Sequence, residues 1–326
     1  MMRAIVCHAI GPTPKLTVEE VVTPVPKDDE VLVRVRAASV NFADRLMIAG
    51  RYYVRPDPPF ITGLEFAGVI ETVGREGSGW QPGDRVMGAP LSGGCFAEYI
   101  AIAADQLLPV PPGMSWSEAA SFLITYGAAY YALHDRGKLQ GTDTLLITGA
   151  GGGVGLAAVD LSTRIGARVI AAAGSSEKLS VAESHGAAGR IDYSKEDLRE
   201  RILALSGGRG YDVLLDNVGG EVFTAALRGS APGARLLLVG FASGVIPEIS
   251  AGYVLMKNLS LYGVGFGGVY AASAAIRQSV YQGLLAIHRE RPLHPEIDRE
   301  FSLEEGIAAL DYQAARKAMG KVVILP

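Results

Sequence analysis

Residues 144–161 read TLLITGAGGGVGLAAVDL: an apolar run, a turn with five glycines in seven positions, and a second apolar run of helical character. A strand ending in a tight turn, a backbone bare of Cβ atoms and a helix opening with free N–H groups together make a seat for a pyrophosphate. In register the pattern is Ala150-x-Gly152-x-x-Gly155, with alanine where the first of the usual three glycines stands. A glycine turn that only packs a helix onto a sheet is the alternative, and the strand–helix series around this one weighs against it.

The next strand suggests which dinucleotide. Residues 169–173 (VIAAA) lead into Gly174-Ser175-Ser176-Glu177-Lys178. An acid at that strand end, ~20 residues past the glycines, would accept from a bare ribose 2′-hydroxyl. Alanine followed by hydroxyls and a lysine suits a 2′-phosphate, so NADPH is expected rather than NADH. Glu177 falls in the following helical turn, where an acid is ordinary helix chemistry.

Metal ligation is not expected. His8, His134, His185, His288 and His294 are scattered, and Cys7 and Cys95 lie far apart, so no zinc-ligand set is evident. Without a Lewis acid a simple ketone is a poor hydride acceptor. A quinone, or a C=C conjugated to a carbonyl, spreads the incoming charge itself, and hydrogen bonds to the developing oxyanion supply the rest.

The elements that must hold these residues fall into two rhythms. Up to about residue 115 the chain alternates in short segments: Val31, Val33 and Val35 share one face of a strand with Arg34 and Arg36 opposite. Further strands are expected at 66–73, 84–87 and 96–102, punctuated by turn residues that include Gly74, Gly77 and Gly79. Helices are expected at 39–50 and 116–135, the second opened by a Ser115/Glu118 capping box. From about 140 to 262, apolar strands at 144–148, 168–172, 212–216, 234–239 and 259–263, with a weaker one at 190–193, alternate with helices at 154–165, 176–185, 195–205 and 222–228. That alternation predicts a six-stranded, doubly wound parallel sheet. The C-terminal segment, with a helix near 271–288 and a strand at 321–325, is expected to return to the first domain.

Composition sets the outer bounds. A chain of 326 residues, 49% hydrophobic and 20% charged, has material for two domains. A net charge of −4 with no like-charge block gives no footprint for nucleic acid or a membrane surface. Two cysteines make no disulfide framework, and both read as small inert hydrophobes. The N-terminus reads as a first strand rather than a signal peptide, and no window matches a membrane span. A cytoplasmic protein is expected.

The chain resembles the medium-chain dehydrogenase/reductase superfamily, in its zinc-free NADPH:quinone oxidoreductase (zeta-crystallin-like) branch. The resemblance spans nearly the whole chain: residues 38–44 (ASVNFAD), 63–69 (GLEFAGV), 83–86 (GDRV), the glycine turn, 191–193 (IDY), 212–219 and 320–323 (GKVV). Zinc-dependent relatives carry histidine where Leu64 stands. Asp160 and Thr163 depart from the branch's usual signature. The resemblance implies an α/β fold: a doubly wound (Rossmann) domain at 119–263 and a β-rich, GroES-like catalytic domain from 1–118 and 264–326.

It also implies contacts. Gly152, Gly153 and Val154 would line the pyrophosphate. Gly174, Ser175, Lys178 and Tyr193 would surround the 2′-phosphate, with Arg316 near it. Asn217, Gly240, Phe241, Val264 and Gly265 would flank ribose and nicotinamide, while Phe42, Asp44, Arg45 and Tyr131 would close over the cofactor from the first domain. Asn41 and Tyr52 are the expected hydrogen-bond partners of the acceptor oxygen. Each has a plainer alternative: Tyr193 as a packed strand-edge residue, Lys178 as a solvated helix lysine, Arg316 as a cap on helix carbonyls, Asn41 as a turn organiser, Tyr52 and Tyr53 as surface aromatics. No residue is assigned as proton donor, and solvent suffices.

The activity so implied is zinc-independent hydride transfer from NADPH to a quinone or α,β-unsaturated carbonyl. The rival from another class is an NADPH-binding protein with a structural or regulatory role and little catalysis. Relatives pair through the edge strand of the dinucleotide domain, so the apolar stretch 259–264 implies a homodimer.

Overall fold

The computed structural model describes residues 1–76 and 79–326; Gly77 lies outside the described residues. Two compact units result, Thr125–Phe266 and Met1–Ile124 with Gly267–Pro326. The seams fall at 124/125 and 266/267, against 118/119 and 263/264 expected. Helical segments cross both positions, so no loop marks either seam in the sequence.

In the unit Thr125–Phe266, six strands form one parallel sheet in the order Gly189–Asp192, Arg168–Ala173, Thr144–Thr148, Tyr211–Asp216, Ser230–Leu238, Ser260–Gly263. In chain order this is 3-2-1-4-5-6, the doubly wound arrangement expected. Leu145, Leu146, Ile147 and Leu214 are fully buried, because a central parallel strand is covered on both faces and cannot alternate. The helix Gly153–Ile165 ends at Gly166, whose φ of 91° closes it in the left-handed conformation. One short helix, Ala251–Lys257, went unread, since its Leu255 and Met256 point outward and break the helical pattern.

The other unit is built on the strand Glu30–Val40. Val31, Val33 and Val35 face its core, and the strand pairs with Phe66–Val73, Tyr99–Ala103 and Lys321–Leu325. The last of these brings the C-terminal segment back into this unit. The helix read at 39–50 begins only at Phe42, because Ser39 and Val40 remain in the strand. The strand read from 96 starts at Tyr99. The helix read at 116–135 is broken: Trp116–Ala119 carries the Ser115/Glu118 capping box, Leu123–Tyr130 follows, and Tyr131–Arg136 is π-helical.

Candidate active site

The parallel sheet places the dinucleotide candidates together. The segments holding Gly152–Val154, Gly174–Lys178, Tyr193, Asn217, Gly240–Phe241 and Val264–Gly265 all follow the carboxyl ends of its six strands. Open α/β sheets bind ligands at that edge, where the strand order reverses. Here the reversal lies between Thr144–Thr148 and Tyr211–Asp216. Their following loops meet: a Cβ on Gly149 would stand 3.1 Å from Val218 Cγ2 and 3.4 Å from Asn217 Cβ.

The glycine turn explains its own sequence. Gly149 has φ 64°, so the left-handed residue of the turn precedes the position where alanine stands. Ala150 is fully buried and donates its N–H to the Ala172 carbonyl at 3.1 Å. Alanine there therefore causes no backbone strain. Gly155 is needed for close packing, since a Cβ would meet the Gly149 oxygen at 2.4 Å. Gly152 caps the helix Gly153–Ile165 with no side-chain bond, and a Cβ there would meet only the Gly149 oxygen at 3.6 Å. The first-turn N–H groups have no intrahelical acceptor, which suits an anion. A pyrophosphate fits this cradle.

Beside it stand residues expected around a 2′-phosphate. A Cβ on Gly151 would come within 2.5 Å of Lys178 Cβ, and one on Gly174 within 3.3 Å of the Tyr193 ring. Lys178, Gly174 and Tyr193 are thus gathered around the first two loops. The Ser175 hydroxyl already caps the helix Ser176–Ser184 by accepting from the Lys178 N–H at 3.4 Å. Asn217 is partly structural: its amide donates to the Thr148 carbonyl at 2.9 Å. Beneath it Asp216 is sealed in, and burial raises its carboxyl above the usual range despite bonds from Thr148, Gly219 and Val218. The Val264 N–H extends the sheet by donating to Leu238 at 3.0 Å, while Gly240 and Gly265 leave that edge bare of side chains.

Tyr131 falls within the bounds expected for the dinucleotide domain. It belongs to this unit, not the first domain, because the helical stretch that follows Leu123 carries it across the seam; its ring lies 5.8 Å from Phe266. Asp160 is explained too. Only 8% exposed, it accepts from the Tyr126 hydroxyl at 3.0 Å and pairs with Arg164 at 2.8 Å, joining the helix after the glycine turn to the one that leads to Tyr131.

In the other unit, Asn41 has both ends of its amide engaged. Nδ2 donates to the Ser39 carbonyl at 3.1 Å and Glu65 Oε2 at 3.2 Å, and Oδ1 accepts from Lys321 Nζ at 2.6 Å. Glu65 is fully buried, also accepts from the Ser39 hydroxyl and the Ile124 N–H, and lies 3.7 Å from Lys321. Asn41 therefore organises its surroundings, the plainer of the two roles expected of it. Asp44, 1% exposed, accepts the Asn41 N–H at 2.7 Å. Burial pushes its carboxyl up to about 7, with Asn41, Lys321 and Leu64 pulling the other way. Burial likewise lowers the Lys321 ammonium, which Glu65 and Asp44 oppose. The Glu65–Lys321 pair went unread. A lone acid inside GLEFAG and a lone lysine heading KVVIL were its available signals.

Phe42 opens the helix Phe42–Ile48 and is half-buried. Arg45 reaches the Ala314 carbonyl at 3.4 Å, at the end of the helix Gly306–Ala314, and exposed Arg316 follows that end with φ 57°. Tyr52 is half-buried, and its hydroxyl lies 3.2 Å from that of Tyr53. Leu64 is buried where a zinc-dependent relative has histidine. Among the described residues no three His, Cys, Asp or Glu side chains converge as a metal set, and no helix is long and apolar enough to cross a membrane.

Two family models match. The alcohol dehydrogenase GroES-like domain covers residues 27–112, and the model described as zinc-binding dehydrogenase covers 153–282. The chain is 38% identical to quinone oxidoreductase-like protein 2 of Bos taurus over 95% of its own length and 88% of the relative's. It is 33% identical to a quinone oxidoreductase of Pseudomonas aeruginosa, covering 92% of each. The crystal structure of Escherichia coli quinone oxidoreductase complexed with NADPH superposes with a TM-score of 0.92 at 25% identity, covering 99% of this chain and 100% of that one.

Proposed function

The chain belongs to the quinone oxidoreductase branch of the medium-chain dehydrogenase/reductase superfamily, and from that premise we propose that it is an NADPH-dependent, zinc-independent reductase of quinones or α,β-unsaturated carbonyls. The observation that carries this reading is the packing of Lys178 against Gly151 and of Tyr193 against Gly174, in the segments that follow the first three strands of the sheet. When bound, NADPH supplies a hydride. The chain's residues do the rest: bare N–H groups at Gly153 and Val154 hold the pyrophosphate, and Lys178 with Tyr193 selects the 2′-phosphate.

Zinc independence is supported by Leu64, which brings no imidazole to a position that zinc-dependent relatives use. The acceptor must then carry its own conjugation to spread the charge, and phenol donors such as Tyr52 stabilise its oxygen. NADPH oxidation followed with a panel of quinones, enones and simple ketones tests the reading. Turnover confined to the conjugated acceptors is expected; binding of NADPH without turnover of any acceptor would sink it.

The same reading includes a homodimer. The strand Ser260–Gly263 ends the sheet, and Leu261 on it is 38% exposed, close in sequence to the outward Leu255 and Met256. An uncovered edge strand is a ready pairing surface. Light scattering on wild type and Leu261→Lys is expected to give a dimer and a weakened dimer. A monomeric wild type at micromolar concentration would end the assignment.

A further inference from the structure

Tyr53 belongs to no role so far, yet its geometry is specific. The Tyr52 and Tyr53 hydroxyls lie 3.2 Å apart, with ring centroids at 4.3 Å and planes tilted by 44°. Both hang over Gly267: a Cβ there would sit 3.2 Å from the Tyr52 hydroxyl and 3.1 Å from that of Tyr53, with Leu91 Cδ2 at 3.5 Å. Glycine thus leaves room for two phenol oxygens to converge. The pair also has one fixed and one open member. The Tyr52 N–H is tied to the Leu46 carbonyl at 3.0 Å and its side chain is half-buried, whereas Tyr53 is 61% exposed.

We propose that Tyr53 is a second substrate-contacting residue, which together with Tyr52 donates to a single carbonyl oxygen of the acceptor above Gly267. The inference rests on the reductase reading given above. Burial first, and Tyr53 second, raise the Tyr52 phenol well above its ordinary value, so it stays a donor through the neutral range. In the resting pair Tyr52 donates to the Tyr53 oxygen. The Tyr53 proton then remains to point outward from its exposed position, towards an arriving oxygen. When an oxygen seats between the two hydroxyls, the Tyr52 proton turns from Tyr53 to it, and it then accepts from both. It gains most when it carries charge, so the contact favours the transition state over the ground state.

The electron count is that of the reductase reaction. The hydride leaves the reduced nicotinamide for the β-carbon of the enone, the C=C electrons move onto the carbonyl oxygen as an enolate, and a proton from water completes the saturated ketone and NADP⁺. The two phenols hold the enolate oxygen and keep their own protons.

Tyr53→Phe, Tyr52→Phe and Gly267→Ala test this with two readouts. One is kcat/KM for a cyclic enone, with NADPH affinity and Tm measured alongside. The other is binding of p-nitrophenolate, an oxyanion probe, to the protein saturated with NADP⁺. Tyr53→Phe is expected to lower kcat/KM by about 10-fold, chiefly in kcat, and to weaken the probe by a similar factor, with NADPH affinity and Tm unchanged. Gly267→Ala should lose both in the same direction by parting the hydroxyls. If Tyr53→Phe matches wild type in both readouts, or loses activity only in proportion to NADPH affinity, the proposal is overturned. Should wild type bind the probe through Tyr53 but turn over no enone, the reductase reading fails and the phenol pair stands.

Discussion

Gly151 and Lys178 touch so closely that a β-carbon on the glycine would lie 2.5 Å from the lysine's own Cβ. The turn proposed to cradle the pyrophosphate and the lysine proposed to meet the 2′-phosphate are therefore joined by one contact. Gly151→Ala must displace the lysine stem or the turn. It should raise the KM for NADPH by about 10-fold with little change in kcat, and lower stability by about 1–3 kcal/mol, the usual effect of overpacking. An unchanged KM would show that Lys178 takes no part in binding.

Lys178→Ala separates the two dinucleotides. Removing a charge proposed to face the 2′-phosphate should weaken NADPH by about 10-fold or more and leave NADH nearly untouched. Calorimetric titration of both coenzymes checks this, and an equal loss for both would contradict the selection of NADPH by this lysine.

The glycine turn and the strands flanking it are legible in the sequence because their demands are local. Gly149–Gly155 and the alanine-ended second strand need only their immediate neighbours, and their order in the chain is their order around the sheet's edge. The hydrogen bonds of Asn41 are not legible in the sequence because its partners, Glu65 and Lys321, lie 24 and 280 positions away. No periodicity links an amide to a lysine across such a separation. Asp160 was noticed as a departure, but its partner Tyr126 became visible only once two helices packed. The broken helix at 116–135 belongs to the same class, since nothing local in LHDR announces a π-helical turn.

Buried Glu65 and Lys321 define a stability prediction. Lys321→Met leaves the buried Glu65 carboxylate without its counter-ion, though still hydrogen-bonded, and takes a donor from the Asn41 oxygen. A loss of about 3–5 kcal/mol is expected, read from chemical denaturation. Lys321→Met combined with Glu65→Gln should recover part of it. If the single variant is as stable as wild type, the pair does not hold the unit together.

Asp44 gives a pH dependence of defined sign. Its folded carboxyl is raised to about 7 from 3.8, so the folded state holds a proton that the unfolded chain has released. Stability from this group is full below about 3.8 and declines as pH rises through about 7, at about 1.4 kcal/mol per unit. Asp44→Asn, which cannot ionise, should flatten the decline between pH 4 and 7 in denaturation curves. A wild-type stability that rises with pH over this range, and is unaltered by the substitution, would contradict the assignment.

Transfer of label tests the central claim most directly. NADPH deuterated at both C4 positions, incubated with the protein, an α,β-unsaturated ketone and a metal chelator, should place one deuterium on the β-carbon of the saturated product, at the same rate as without chelator. Deuterium at the carbonyl carbon, transfer abolished by the chelator, or no transfer at all would contradict a metal-independent NADPH reductase of conjugated acceptors.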